Sequence, residues 1–326
     1  MRPLLRSLRR PPLWLLVLVI LLVGSWPYVT ASALNRETFF LILMFVTLAS
    51  SLNILLGYTG YVNFGNVVFF GLGGYIGFYL IREGWHLVPA SLVAATAVTL
   101  FALAIGGPVL RLRGAYFALV TIGVNEALRA LVTNLDFLGA STGMSLNFSV
   151  YDAYGGARNA QWFSYGYVLV VTLLVVVLSY LVKNAKLGLG LQSIREDEDA
   201  AEVLGIHTSR AKLVAFALSA FFPAVVGTVF FFKNTNIEPA SAFQLRTSIE
   251  AIVMVMLGGA GTVWGPIGGA AAYERLRSSL ITAPGVLREL QLFLSGVILL
   301  LIVLFIPEGV IGYVRRKFSR TRAVLE

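Results

Sequence analysis

Long apolar runs separated by short polar, basic or glycine-rich breaks make up most of the chain. Runs of spanning length cover residues 12–30, 38–56, 66–81, 87–107, 114–133, 165–182, 213–232 and 290–306, and a broken run covers 248–273. About 20 residues cross a bilayer core as an α-helix. The pattern predicts an all-α polytopic membrane protein of about 8–10 transmembrane helices. The count depends on whether 248–273 re-enters the membrane or crosses it twice. A single transmembrane domain then spans 1–326. Its first half is 12–133, followed by an external loop at 134–164 and a second half at 165–306. The second half carries an inner loop at 183–212, and a basic tail follows at 307–326.

Two breaks resemble each other. LGYTGYVNFG at 56–65 and LGGAGTVWG at 257–265 share L-G-x-x-G-x-V, so Gly57 matches Gly258 and Gly60 matches Gly261. Asn63, Phe64 and Gly65 complete the first break, and Trp264 and Gly265 the second. Paired glycine-interrupted segments in the two halves of a chain point to a midplane site built from half-helices. Unwound backbone at membrane depth is tolerated only where it is buried or lines a cavity. These residues are therefore candidates for a solute pathway. The competing reading is helix packing, because glycine also permits close helix contact.

Composition supports the membrane assignment. The chain is 58% hydrophobic and only 13% charged, against about 25% charged residues in soluble domains. It has no cysteine, which excludes disulfides and thiolate metal sites. The net charge of +9 reads as topology rather than as a nucleic-acid surface. Sixteen of the 25 basic residues fall in the two terminal segments, at Arg111 and Arg113, and in the 183–212 loop. The positive-inside rule puts that side, and both termini, in the cytoplasm. The first run, with its four preceding arginines and Ala31-Ser32-Ala33, looks like a signal peptide. Its length suits an uncleaved first span, and we read it as one.

The external loop is rich in Gly, Ser, Asn and Tyr. It is either a contact surface or a solvated connector. Glu126 stands mid-span with Arg129 at i+3. The pair reads as a structural ion pair facing the bundle interior, with a pathway or gate role as the alternative. The inner loop is more specific. Ser193 and Glu196 form an S-x-x-E capping box, and Glu196, Asp197, Glu198 and Asp199 fill the first turns of the helix it predicts. Gly205 suits a left-handed C-terminal cap. A helix of about three turns results, with Ile194, Ala201 and Leu204 near one face. Its small Ala200-Ala201 centre lets another surface approach closely.

The stretch EDAAEVLGI resembles the EAA motif of ABC importer permeases. GYTGYVNFGNVVFFGLGGYIG, LRGAYFALVTIGVNEALR, SIREDEDAAEVLGIHTSRAKLVAFALSAFF and EAIVMVMLGGAGTVWGPIGGA extend the likeness across residues 45–275. The chain as a whole resembles the LivM-type permease subunit of branched-chain amino acid importers. The resemblance implies a cytoplasmic helix that fits a groove on an ATPase subunit, a role falling on Glu196 to Gly205 including Glu202. It implies a second homologous permease, two ABC ATPase subunits and an external solute-binding protein as partners. It implies an amino-acid substrate, with urea or short amides as the alternative cargo, and a prokaryotic cytoplasmic membrane as the location. The motif departs from its simplest form, since Asp199 precedes Ala200 and Ala201, so the acid that takes the family's glutamate role is open.

Catalytic patterns are missing. His86 and His207 are the only histidines, and there is no G-x-S-x-G and no Walker A loop. No catalytic residue, metal or cofactor is expected in this chain, and ATP would be bound by its partners. An ion-coupled carrier is less favoured, because only Glu126 and Glu250 offer acids near the spans.

Overall fold

The computed structural model describes residues 11–281. The span expected at 290–306, the basic tail and the first four arginines lie outside these residues. Helix α1 covers Pro11–Thr30, α2 Ala33–Thr59, α3 Asn66–Arg82, α4 Leu87–Val109 and α5 Gly114–Thr133. Helix α6 covers Ala157–Asn184, α7 Lys186–Glu196, α8 Glu198–Val203 and α9 Thr208–Asn234. Helix α10 (Pro239–Ala242) leads into α11 (Leu245–Gly258), and α12 covers Trp264–Ile281. Among the described residues, six apolar helical stretches are long enough to cross a membrane, with α10 and α11 counted as one; Trp14–Thr30 within α1 and Asn66–Arg82 (α3) are shorter apolar stretches. The protein is an all-α polytopic membrane protein.

Helix α9 is the hub. It packs against α2, α3 and α4, while α2 also contacts α6, α11 and α12. Glycine explains how α3 approaches so closely. A Cβ on Gly73 would lie 2.3 Å from the Ala224 Cα, and one on Gly77 would lie 2.3 Å from the Thr228 side chain. The Thr228 hydroxyl donates to the Gly73 carbonyl at 2.8 Å. Lipid offers no hydrophobic drive between apolar helices, so small residues and buried hydroxyl bonds hold such contacts. The Ser51 hydroxyl likewise donates to the Ser219 carbonyl at 2.7 Å, joining α2 to α9.

The 134–164 segment is neither a loose connector nor wholly a loop. Helix α6 begins at Ala157, eight residues before the apolar run, because Arg158, Asn159 and Gln161 extend it past the apolar stretch. The remainder folds as 3-10 turns and a two-residue strand, β1 (Met144–Ser145), paired antiparallel with β2 (Asn236–Ile237). The Tyr151 hydroxyl donates to the Phe232 carbonyl at 2.9 Å, which ties this cover to the end of α9.

Candidate functional site

The structure redraws the inner loop. No helix starts at Ser193: its hydroxyl donates back to the Leu189 carbonyl at 3.0 Å, inside α7. The N-cap is Asp197, whose Oδ1 accepts from the Asp199 and Ala200 amides at 2.9 and 3.0 Å. Asp197 is extended, with φ −157° and ψ 114°, so the acidic run bends there instead of continuing one helix. Aspartate caps more strongly than it propagates a helix, which explains the split. The resulting α8 has 6 residues, not three turns.

The C-terminal cap follows the sequence. Gly205 has φ 85°, its amide donates to Glu202 at 2.9 Å, and Ile206 donates to Ala201 at 3.0 Å. This is a complete Schellman motif. The faces differ from expectation. Ile194 and Ala201 are buried, but Leu204 is the cap residue and points outward at 79% exposure, beside Val203 at 88%. Ala200, Val203 and Leu204 therefore form a small exposed apolar surface, rimmed by Glu196, Asp199 and Glu202.

Glu198 is the acid that turns inward. Its Oε1 lies 2.6 Å from the Lys212 Nζ, and its Oε2 accepts from the Tyr61 hydroxyl at 2.6 Å. Lys212 is 3% exposed and also donates to the Tyr61 oxygen at 2.9 Å and the Leu110 carbonyl at 3.0 Å. Arg113 bridges from the α4–α5 turn to Glu198 at 3.5 Å and Asp199 at 2.9 Å. Burial works against the Glu198 charge. The hydrogen bonds from Lys212 and Tyr61, with the charges of Lys212 and Arg113, outweigh it and hold the carboxyl below its usual range. One buried node thus joins α8, α9, the α4–α5 turn and the first glycine break. Sequence reading missed Tyr61, Arg113 and Lys212. A basic residue 14 positions after Glu198 carries no local signal.

The two echoed breaks touch each other. The Asn53 side chain accepts from the Gly261 amide at 2.9 Å and donates to the Thr262 carbonyl at 2.9 Å. Arg195 of α7 donates to the Gly57 carbonyl at 2.7 Å and packs against both Gly60 and Gly261. Matched glycines do matched work. Gly60 and Gly261 have φ of 78° and 82°, which side-chain-bearing residues rarely adopt. A Cβ on Gly57 would lie 2.6 Å from the Gly261 amide nitrogen, and one on Gly258 would lie 1.7 Å from the Gly265 carbonyl oxygen. Each break also ends on a side-chain cap: Gly65 donates to the Asn63 oxygen and Gly265 to the Thr262 hydroxyl, both at 2.9 Å. Phe64 and Trp264 flank these caps and are half-buried.

The midplane expectation needs correction. Gly57 lies in the last turn of a 27-residue helix, about 36 Å from its start at 1.5 Å per residue. The first break therefore sits at one end of α2, against the inner loop, and not halfway along it. Asn63 is 1% exposed, its amide nitrogen has no hydrogen-bond partner among the described residues, and it borders a small cavity with Val68, Phe69, Thr121 and Phe216.

Glu126 is a second correction. It pairs with Arg129 at 3.5 Å, but the two side chains are 54% and 45% exposed and face away from the other described helices. Helix α5 turns Phe117, Thr121, Asn125 and Val132 inward instead, and Asn125 donates to the Phe243 carbonyl at 3.0 Å. Two other acids are buried among the described residues: Glu250, paired with Arg246 at 2.8 Å, and Glu274, paired with Arg277 at 3.3 Å.

Residues 36–303 match the family described as branched-chain amino acid transport system / permease component. The chain belongs to this permease family. The permease is 30% identical to the high-affinity branched-chain amino acid transport system permease protein LivM of Escherichia coli (strain K12), over 92% of this chain and 75% of that protein. It is 27% identical to the high-affinity branched-chain amino acid transport system permease protein LivH of the same strain, over 82% of this chain and 93% of LivH. A probable LivM of Methanocaldococcus jannaschii is 22% identical over 82% of this chain and 90% of that protein. No solved structure matches the permease.

Proposed function

We propose that this permease is one of two homologous membrane subunits of an ATP-driven importer, and that it carries branched-chain or other amino acids handed over by an external solute-binding protein. Two ATPase subunits supply the energy, and ATP binds to them rather than to this chain. Glu196, Asp197, Glu198, Asp199, Ala200, Ala201, Glu202 and Gly205 form the element that meets the ATPase. The observation that carries this reading is the division of labour in α8. Its outer surface is apolar and acid-rimmed, while Glu198 beneath is bonded to Lys212 and Tyr61.

Movement of α8 by the ATPase would pass through Glu198 to α9 and to Tyr61 in the 60–65 break. Asn53 and Arg195 would pass it on to the 259–263 break. The two breaks then act as one inner gate, with Gly57, Gly60, Asn63, Phe64 and Gly65 on one side and Gly258, Gly261, Trp264 and Gly265 on the other. The test is reconstitution of the full complex in proteoliposomes. Labelled leucine should accumulate only with ATP on the ATPase side and loaded binding protein on the other. Uptake by this chain alone, or uptake driven by an ion gradient without ATP, would refute the proposal.

A further inference from the structure

Helix α5 presents an outward face that does not suit lipid. Glu126 lies about 18 Å from the start of the helix and about 11 Å from its end at 1.5 Å per residue, so the pair with Arg129 sits well inside the span. Both side chains are about half exposed and no other described residue pairs with them in a salt bridge. Charged side chains within a span face a bundle interior or a water-filled cavity, not hydrocarbon. The same face carries Leu119, 64% exposed, and Gly123, around which a Cβ would meet nothing within 4 Å. Ala127 follows Gly123 by four positions and is also exposed. This small-x-x-x-small spacing lets a neighbouring transmembrane helix come close.

We propose that this face of α5 is the seam against the second permease subunit, and that Glu126 and Arg129 line the wet part of that seam. The inference rests on the proposed two-permease importer. Two observations favour a homologous permease as the occupant. First, LivM and LivH of one strain both align with most of this chain, so a homologous partner brings an equivalent helix, and a two-fold arrangement would set the two α5 faces together. Second, the chain's own outlying apolar run is a poor match in chemistry: residues 290–306 contain no charged residue to meet the ion pair.

The test uses a photo-crosslinking amino acid placed singly at Tyr116, Leu119, Leu100 or Leu174 in the full complex. Leu100 on α4 and Leu174 on α6 are exposed at 61% and 55% and serve as lipid-facing controls. Adducts to the second permease at 116 and 119 but not at 100 or 174 are expected. The Glu126→Leu/Arg129→Leu pair should also lower uptake at least tenfold at unchanged chain level. Adducts only at 100 or 174, an intramolecular adduct from 119 to residues 290–306, or unchanged uptake in the leucine pair would overturn the seam while the ATPases still co-purify. A wild-type chain that recovers no ATPase and no second permease would overturn both the seam and the importer.

Discussion

Replacing Glu198 with alanine should strand a buried cation. Lys212 is 3% exposed, and its three close partners are the Glu198 carboxylate at 2.6 Å, the Tyr61 oxygen and the Leu110 carbonyl. Removing one partner of a buried ion pair costs about 3–5 kcal/mol. Glu198 is 11% exposed and stands at the rim, so the lower end applies, about 3 kcal/mol. Lys212→Met alone should cost less, about 1–2 kcal/mol, because Arg113 and Tyr61 still serve the carboxylate. The double variant Glu198→Ala/Lys212→Met removes both charges and should be more stable than Glu198→Ala. The assay is a double-mutant cycle on denaturant unfolding of the purified complex, with ATPase stimulation by loaded binding protein measured on the same samples. Glu198→Ala should keep basal hydrolysis and lose the stimulation. A cost below about 1 kcal/mol, or strictly additive single and double effects, would refute the buried-node argument.

Three further outcomes follow from the same geometry. The folded Glu198 carboxyl titrates below the ordinary glutamate value of 4.5, so its contribution is complete above that value and is lost as pH falls through the folded pKa; the stability gap between wild type and Glu198→Gln should hold steady from pH 7 to 5 and shrink only in more acidic buffer, and a gap that grows on acidification would contradict the sign. Gly60→Ala should cost about 1–2 kcal/mol from backbone strain alone, with the nearest atom 3.5 Å away, whereas Gly261→Ala adds approaches of 2.8 Å to Arg195 and 2.9 Å to the Gly57 oxygen; equal melting shifts for the two would show that the breaks do not interlock. Ala200→Trp should abolish co-purification of the ATPase while leaving the chain's melting point unchanged, and Ala201→Trp should lower the melting point because Ala201 is 1% exposed; the reverse pattern would place the docking surface elsewhere.

The spans that fall among the described residues were legible in the sequence because hydrocarbon demands long apolar helices. The echo was legible too, since only glycine tolerates the backbone at Gly60 and Gly261 and the close approaches at Gly57 and Gly258. What the sequence hid is tertiary. Nothing local says that Asn53, four residues before Gly57, bonds across to Gly261 and Thr262. Nothing local says which of Glu196 to Asp199 turns inward, because all four acids suit a helix N-terminus. The capping-box expectation failed for an instructive reason. Asp197 competed with Ser193 for the capping role, and it had two following amides within reach. Glu126 was misplaced because helical spacing identifies its partner Arg129 but not the direction in which the pair points.

Helix α8 has only 6 residues, far below the length at which an isolated helix holds its shape in water. Its form is therefore imposed, not intrinsic. Asp197 and Gly205 close its two ends, Ala201 anchors its underside, and Glu198 fixes its place relative to α9. A partner pressing on Val203 and Leu204 cannot simply melt α8, because both caps satisfy its terminal amides and carbonyls. The strain goes instead into the Glu198 node, the strongest connection between α8 and the bundle. That node contains Tyr61, one residue past Gly60, and Arg195, on the preceding helix α7, donates to the Gly57 carbonyl. The first glycine break is thus bonded to the 183–212 loop at two points, Tyr61 to Glu198 and Gly57 to Arg195. A hydrophobic contact in their place would slide. Short charge-assisted bonds of 2.6–2.7 Å break and remake between discrete positions, which is what the proposed two-state gate requires.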